Sequence, residues 1–465
     1  MTNWMPDLEG RPGPRYIAIA DALAADVTGG RFRHGDRLPP HRDLAWRLGV
    51  TVGTVSRAYA EAERRGLIVG EVGRGTYIRA MTPDDQGFMP TVGEDDGAGL
   101  IDLTFNFPPP AVEDNTLAAA LRELADDARG STWLHYQPCA GRRAHREAAA
   151  TWLGLSSLTM DPERIAVSAG AQHGVLVALA ALTRPGDRVA TEAFTYPGIK
   201  LVARLLGLRL EGIAMDGEGV LPEALEAACR SGDIKALYCI PTLQNPTSVT
   251  MTEARRRAIA EVARRHGVAI VEDDIMRLLV ETAPAPIAAF APELTYHVTS
   301  LSKTVAPGLR IGFVAGPEGS AERLAAAVRA TCWMTPPLSV EIGARWIADG
   351  TALRILGTRR REVAARRARV VAALGARAAA CPEGSLHLWL HLPEPWRASD
   401  LALEARTHGV AITPAEAFAV SRRDATHAVR VCFGAAPDLA TLDRAMGILA
   451  ELLDGEPSQA LGTMI

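Results

Sequence analysis

The sequence predicts an α/β chain in two parts. An N-terminal winged helix-turn-helix precedes a larger body, built on a mainly parallel sheet with helices on both faces and closed by a small C-terminal α+β subdomain. Three observations predict this. Helical patterns and a glycine-turn hairpin fill residues 15–79, an acidic Gly/Pro-rich stretch without periodicity occupies 80–100, and beyond it short β-branched runs alternate with helical patterns. At 465 residues the chain exceeds a single domain. The expected boundaries are 1–79 for the first unit, 80–100 for a linker and 101–465 for the body, with the subdomain at about 330–455.

The first unit reads as follows. Ile17, Ala20, Leu23, Ala24 and Val27 form an i, i+3, i+4, i+7 stripe that predicts a helix stopping at Gly29–Gly30. A second helix, about His41–Leu48, follows the rigid Leu38-Pro39-Pro40 turn and ends at Gly49. Thr51 is placed to N-cap a third, whose inner face is Val55, Ala58, Tyr59 and Ala62 and which closes at Gly66. Leu67–Val69 and Thr76–Ile78 then flank a glycine turn carrying Arg74. In a winged helix-turn-helix the third helix enters the DNA major groove, and the wing reaches the backbone or minor groove.

Charge supports that division. The net charge of −4 conceals twelve arginines against nine acids in residues 1–80, so the only basic excess lies at the N-terminus. Only Lys200, Lys235 and Lys303 are lysines among the 50 basic side chains, a bias expected of a GC-rich genome. The six cysteines have neither Cys-x-x-Cys nor zinc-like spacing, so reduced thiols in a cytosolic protein are expected and no metal site. Residues 1–14 lack a basic region followed by an apolar run, and the longest uncharged stretch, Ile165 to Thr183, is broken by polar residues and glycines. Neither a signal peptide nor a membrane span is expected.

In the body, strands are expected at Ile165–Val167, Val189–Thr191, Ala236–Ile240, Val268–Val271, Tyr296–Thr299 and Ile311–Val314. The last part offers strands at Leu386–Leu392 and Val429–Phe433 and a helix from Asp438. Several strands end in reactive or polar groups. Lys303 lies between a strand and a Pro-Gly turn, with Ser300 and Ser302 before it and Arg310 seven residues on. A lysine amine can condense with an aldehyde cofactor, while arginine and serine hold a phosphate. Ala171 and Gln172 open a helix whose first N–H groups can face that phosphate. Asn245 can donate to a phenolic oxygen, and Asp273 can stabilise a protonated pyridine nitrogen. Tyr196 offers a plane for stacking. Each is ordinary alone; together, at successive strand ends where α/β sheets place ligands, they indicate a pyridoxal phosphate site.

The string GDRLPPHRDLAWRLGVTVGTVSRAYAEAERRGLIVGEVGRGTYI resembles the DNA-binding domain of GntR-type bacterial regulators. The resemblance implies that Arg42 contacts phosphate or a base, that Thr51, Thr54 and Ser56 line the recognition helix, and that Arg74 sits on the wing. Val52 and Ser56 stand where some members carry base-reading arginines. Residues 101–455 are similar to fold-type I pyridoxal phosphate enzymes of the class I/II aminotransferase family, and the fusion resembles the MocR subfamily of transcription regulators. By that resemblance Lys303 forms the Schiff base, Asp273 pairs with the pyridinium, Asn245 donates to the phenolic oxygen and Tyr196 stacks on the ring. Ala171, Gln172, Ser300, Ser302 and Arg310 surround the phosphate. Tyr136 matches a tyrosine that reaches the cofactor phosphate of a partner subunit. Arg430 matches the arginine that holds a substrate carboxylate, with Asn106 nearby where aminotransferases often have glycine. The chain departs from the family at Met276, a common tyrosine position, and at Ser248, usually glycine.

The implied function is a cytoplasmic homodimeric transcription regulator that binds double-stranded operator DNA and pyridoxal 5'-phosphate. It would sense the cofactor or an amine or amino-acid-like compound reacting with it. The alternative is an active aminotransferase carrying a helix-turn-helix unit, with turnover weakened by Met276, Ser248 and Asn106.

Overall fold

Thr51 caps a helix as its sequence position predicts: its Oγ1 accepts the Thr54 N–H at 3.1 Å. In the computed structural model that helix is α3 (Val52–Arg64), preceded by α1 (Arg15–Thr28) and α2 (His41–Leu48) and followed by the antiparallel strands β1 (Ile68–Glu71) and β2 (Gly75–Ile78). The structure describes residues 4–8, 13–28, 31–32, 36–64, 67–71, 75–78, 99–110, 115–127, 130–421 and 426–457. Arg74, Gly29, Gly30 and Gly66, most of the 80–100 linker and the last eight residues lie outside them. The chain divides into two compact units, residues 1–89 with 421–426 and residues 90–420 with 427–465.

In the first unit α2 ends on Gly49 at φ 63°, a left-handed cap, and the Val50 N–H returns to the Ala45 carbonyl at 3.0 Å. Leu23, Leu38, Leu44, Val55, Ala58, Leu67 and Ile78 are buried together. Ile19 also joins this core, whereas Ile17, placed in the predicted stripe, is half-buried. The Tyr59 hydroxyl donates to the Pro39 carbonyl at 2.9 Å and ties α3 to the proline turn.

The body begins with β3 (Ile101–Asp102), α4 (Asn115–Asp126) and α5 (Arg143–Gly154). Next come β4 (Ile165–Ser168), α6 (Ala171–Leu182), β5 (Arg188–Glu192), α7 (Pro197–Leu206) and β6 (Arg209–Ile213). A small ribbon of β7 (Met215–Asp216) and β8 (Gly219–Val220) leads to α8 (Pro222–Ser231), β9 (Ile234–Cys239), α9 (Glu253–His266) and β10 (Ala269–Asp273). Then follow β11 (Thr295–Ser300), β12 (Gly312–Ala315), α10 (Ala321–Cys332), α11 (Pro337–Ala348) and the long α12 (Thr351–Leu374). The chain finishes with β13 (Leu388–His391), α13 (Ala398–Thr407), β14 (Val410–Ala411), β15 (Thr413–Pro414), β16 (Ala428–Val431) and α14 (Leu439–Asp454). No helix among the described residues is long and apolar enough to cross a membrane.

The seven-stranded sheet has the order β4-β12-β11-β10-β9-β5-β6. All its pairs are parallel except those of β12, which runs against both neighbours. β11 and β12 are joined by the non-helical segment 301–311 with one 3-10 turn, Pro307–Leu309, rather than by the α-helical crossover that links the parallel strands. The central strands β9, β10 and β12 are buried along nearly their whole length, which accounts for their apolar runs. β6, an edge strand with exposed Arg209 and Gly212, has no such run and is not marked in the sequence.

The smaller sheet, β13-β16-β15, is antiparallel and shares its core with α12, α13 and α14. Ile101 and Leu103, from the start of the body, belong to the same core because β3 pairs in parallel with β14. That pairing delivers residues 104–107 to the sheet's edge. Asp438 caps α14, accepting the Thr441 N–H at 2.7 Å.

Gly312 sits where β12 crosses the entry to α6; a Cβ there would lie 2.6 Å from the Gly170 carbonyl carbon. Gly312→Ala is expected to cost about 1–3 kcal/mol in chemical denaturation, since the obstructing atom is backbone.

Candidate functional site

The short return from β11 to β12 carries Lys303, part-buried at the C-terminal edge of the sheet. Its Nζ donates to the Asn106 carbonyl and lies 5.9 Å from the centre of the Phe107 ring. Burial above all, opposed by Cys432 and Asp273 and aided by the Arg430 and Arg310 cations, brings this amine down to about 8. A lysine in that range supplies neutral, nucleophilic amine near neutrality.

Asp273 ends β10 and is buried. Its Oδ2 accepts the Tyr238 hydroxyl at 2.8 Å, while Oδ1 has no hydrogen-bond partner. Burial pushes this carboxyl up to about 6, with Tyr238 opposing. An unpartnered, buried carboxylate oxygen is costly, and a protonated ring nitrogen would satisfy it.

A cradle for an anion lies at the start of α6. Gly170, at φ 86°, precedes Ala171, the first helical residue. Arg310, itself left-handed at φ 52°, donates to the Ala169 carbonyl at 3.3 Å. A Cβ on Gly170 would stand 2.5 Å from the Arg310 guanidinium and displace it, and the φ of 86° itself favours glycine. Ser302 Oγ is buried without a partner, and the Ser302 N–H donates to Ser300 Oγ at 3.3 Å. Gln172 Nε2 donates to the Gly198 carbonyl at 2.9 Å, and a side chain on Gly198 would strike the Tyr196 ring. Tyr196 is pushed up to about 12, chiefly by burial. An orphan carboxylate oxygen, an orphan hydroxyl, a helix N-terminus and a guanidinium together fit a phosphorylated pyridine carrying an aldehyde.

The Arg430 guanidinium spans Asn245 Oδ1 at 2.7 Å and the Thr104 carbonyl at 2.5 Å, over the Phe418 ring at 4.5 Å. Its Nε has no partner. With Oδ1 occupied by Arg430, Asn245 keeps its amide hydrogens for another acceptor. Asn106 turns its side chain to the Met276 sulfur at 3.9 Å, and its Oδ1 is unpartnered. Met276 thus presents a thioether, not a hydroxyl, to Asn106. Ser248 adopts φ 62°, which explains the usual glycine, and its hydroxyl reaches the His387 carbonyl at 3.1 Å. Tyr136 is 81% exposed and stands apart from this cluster, its ring 5.6 Å from Trp333.

Three neighbours escaped sequence reasoning. Tyr238 looks like a core residue inside an apolar strand, and only the fold turns its hydroxyl to Asp273. His387 is buried with its Nδ1 unpartnered and its Nε2 at 3.2 Å from the Gln244 carbonyl; burial, then Arg430, hold it down at about 3, hence neutral. Phe418 comes from a loop with no motif.

In the N-terminal unit Arg42 is exposed on α2 and Thr51 at the mouth of α3. Thr54 and Ser56 are half-buried; Thr54 Oγ1 bonds Thr51 Oγ1 at 2.9 Å, and Ser56 Oγ bonds His41 Nδ1 at 3.0 Å.

Modification of the Lys303 peptide by a small amine-reactive probe, followed by mass spectrometry across pH, is expected to reach half its maximum near pH 8. Below that pH the ammonium form protects it.

The pattern of the aminotransferase class I and II family matches residues 98–449, and that of the bacterial regulatory proteins of the gntR family matches residues 15–78. The chain is 30% identical over 452 residues to the uncharacterized HTH-type transcriptional regulator YdeF of Bacillus subtilis, with 97% of each chain covered. It is 27% identical to the HTH-type pyridoxine biosynthesis transcriptional regulator PdxR of Corynebacterium glutamicum, over 66% of this chain and 67% of that one. Among solved structures, the kynurenine aminotransferase of Pyrococcus horikoshii is similar with a TM-score of 0.70 at 26% identity, covering 77% of this chain and 91% of that one. With both patterns in one polypeptide and an end-to-end relative among such regulators, the chain belongs to the class I and II aminotransferase family, in the form of a transcriptional regulator bearing a gntR-type helix-turn-helix.

Proposed function

We propose that this regulator is of the MocR type. It binds double-stranded operator DNA as a homodimer in the cytoplasm, holds pyridoxal 5'-phosphate, and senses either the cofactor or an amino-acid-like amine that competes for it. The observation carrying this reading is the buried Asp273 with its open Oδ1, set within electrostatic reach of the Lys303 amine.

The cofactor supplies an aldehyde and an electron-withdrawing ring. Lys303 would be the residue that holds its aldehyde, in competition with other primary amines. Asp273 keeps the ring nitrogen protonated, Asn245 donates to the phenolic oxygen, and Tyr196 covers the ring face. Gln172, Ser300, Ser302, Arg310 and the N–H groups from Ala171 bind the phosphate. Arg430 selects amines that carry a carboxylate, exchanging its bonds to Asn245 and Thr104 for the ligand's two oxygens. Asn106 borders that carboxylate. Exposed Leu134, Tyr136 and Trp333 favour a second copy of the chain, whose site Tyr136 would complete.

On the DNA, Arg42 and Arg74 would meet the backbone or a base, beside Thr51, Thr54 and Ser56. For the effector to be allosteric, it must bind the DNA-competent and incompetent arrangements with different affinity.

The loss of a tyrosine hydroxyl at Met276 weakens proton handling more than binding, which favours sensing over turnover. The retained Lys303, Asp273, Asn245 and Arg430 favour the second reading, an active aminotransferase. Steady transamination at about 1–1,000 per second would support it.

A footprint on DNA upstream of the protein's own gene should change when pyridoxal phosphate or a responsive amino acid is added. Lys303→Ala should abolish that response together with the visible absorbance of the bound cofactor. A footprint indifferent to cofactor, amino acids and Lys303→Ala would overturn the sensing role.

A further inference from the structure

We propose that Val52 reads the operator through the 5-methyl group of thymine, so that the base pair beneath the start of α3 is A·T. This rests on the reading of the first unit as a DNA-binding element and assigns the base chemistry that it recognises.

The argument begins with which face of α3 is free. Val55, Ala58, Tyr59 and Ala62 are buried in the unit's core, which turns Val52, Gly53, Arg57 and Ala60 outward. The polar side chains of the first turn are held by hydrogen bonds within the unit. Thr51 Oγ1 caps the helix at the Thr54 N–H, and the two threonine hydroxyls bond each other. Ser56 Oγ is held by His41, whose ring is fixed edge-on against Tyr59 at 4.8 Å. The large side chain presented by the opening turn is therefore the isopropyl group of Val52, 43% exposed. Gly53 beside it has no side chain to hold a groove edge away.

The major groove offers such a group one apolar feature. Guanine shows N7 and O6, cytosine its amino group, and adenine N7 and its amino group, whereas thymine adds a methyl beside O4. An isopropyl group neither donates nor accepts. Against guanine or cytosine it would strip water from polar edges without replacing their hydrogen bonds. Against thymine it buries methyl on methyl. Selectivity thus has an attractive and a repulsive part, both set by the absence of polar atoms on Val52.

The test uses the full-length protein with its cofactor. An operator is first selected from random duplex DNA, and each thymine of a half-site is then replaced singly by uracil, which removes the methyl and leaves every donor and acceptor in place. At one or two positions the substitution is expected to weaken binding about three- to fivefold, as suits the loss of one buried methyl. Val52→Ala, checked for an unchanged melting transition, should bind thymine and uracil operators alike at those positions. Uracil without effect at every position would overturn the proposal while specific binding left the regulator reading intact. A uracil effect that persists in Val52→Ala would overturn it too, by assigning the methyl to another residue. Failure to select any sequence would remove the DNA-binding reading, and this proposal with it.

Discussion

One antiparallel strand decides the chemistry of the body. β12 returns between β4 and β11 through the segment 301–311 instead of an α-helical crossover, so the Lys303–Arg310 segment folds back over the C-terminal edge of the sheet. Gly312 in that strand touches the backbone of Gly170, the residue before α6. The lysine, the guanidinium and the helix N-terminus therefore meet because β12 is wedged where it is. Backbone packing at Gly312 leaves no room for a Cβ, so the approach of β12 to Gly170 is rigid.

Electrostatics divide across the two faces of β10. On the site face, burial brings Lys303 and Asp273 toward each other, to about 8 and about 6. On the opposite face Glu272 accepts the backbone N–H groups of Ile287 and Ala288 and pairs with His297 at 3.1 Å, the residue opposite it on β11. Desolvation pushes Asp274, two residues along, upward, while Arg256, His297 and Arg277 oppose that push. Strand alternation explains the separation: Glu272 and Asp274 share one face and Asp273 takes the other. Three consecutive acids thus take different hydrogen-bond partners on two sides of the strand while still acting on one another's charge, which a string of letters cannot reveal.

Much of the site was legible because its chemistry sits in short local strings. Lys303 among serines, Asp273 at a strand end, and glycine before a helix each carry a local signature, and their order along alternating strands implied convergence at one edge. Tyr238, His387 and Phe418 were not legible. Each reads as an ordinary core or loop residue, and each acquires its role only through contacts with residues tens to hundreds of positions away. Arg430 lay between the two cases: the family resemblance implied carboxylate binding, but its fork spans Asn245, after β9, and Thr104, placed by the pairing of β3 with β14.

In the first unit the sequence determined the helices almost residue for residue, because proline, glycine and threonine punctuate them by local backbone preference. It also determined the alternation that makes the body α/β, since periodicity is a local property of burial. Tertiary structure alone decided which way β12 runs, that Ile101 joins the C-terminal core, and which hydroxyls of α3 are already hydrogen-bonded. Those outcomes depend on contacts between distant segments. Local propensity constrains where an element begins and ends, and only packing settles what its side chains finally touch.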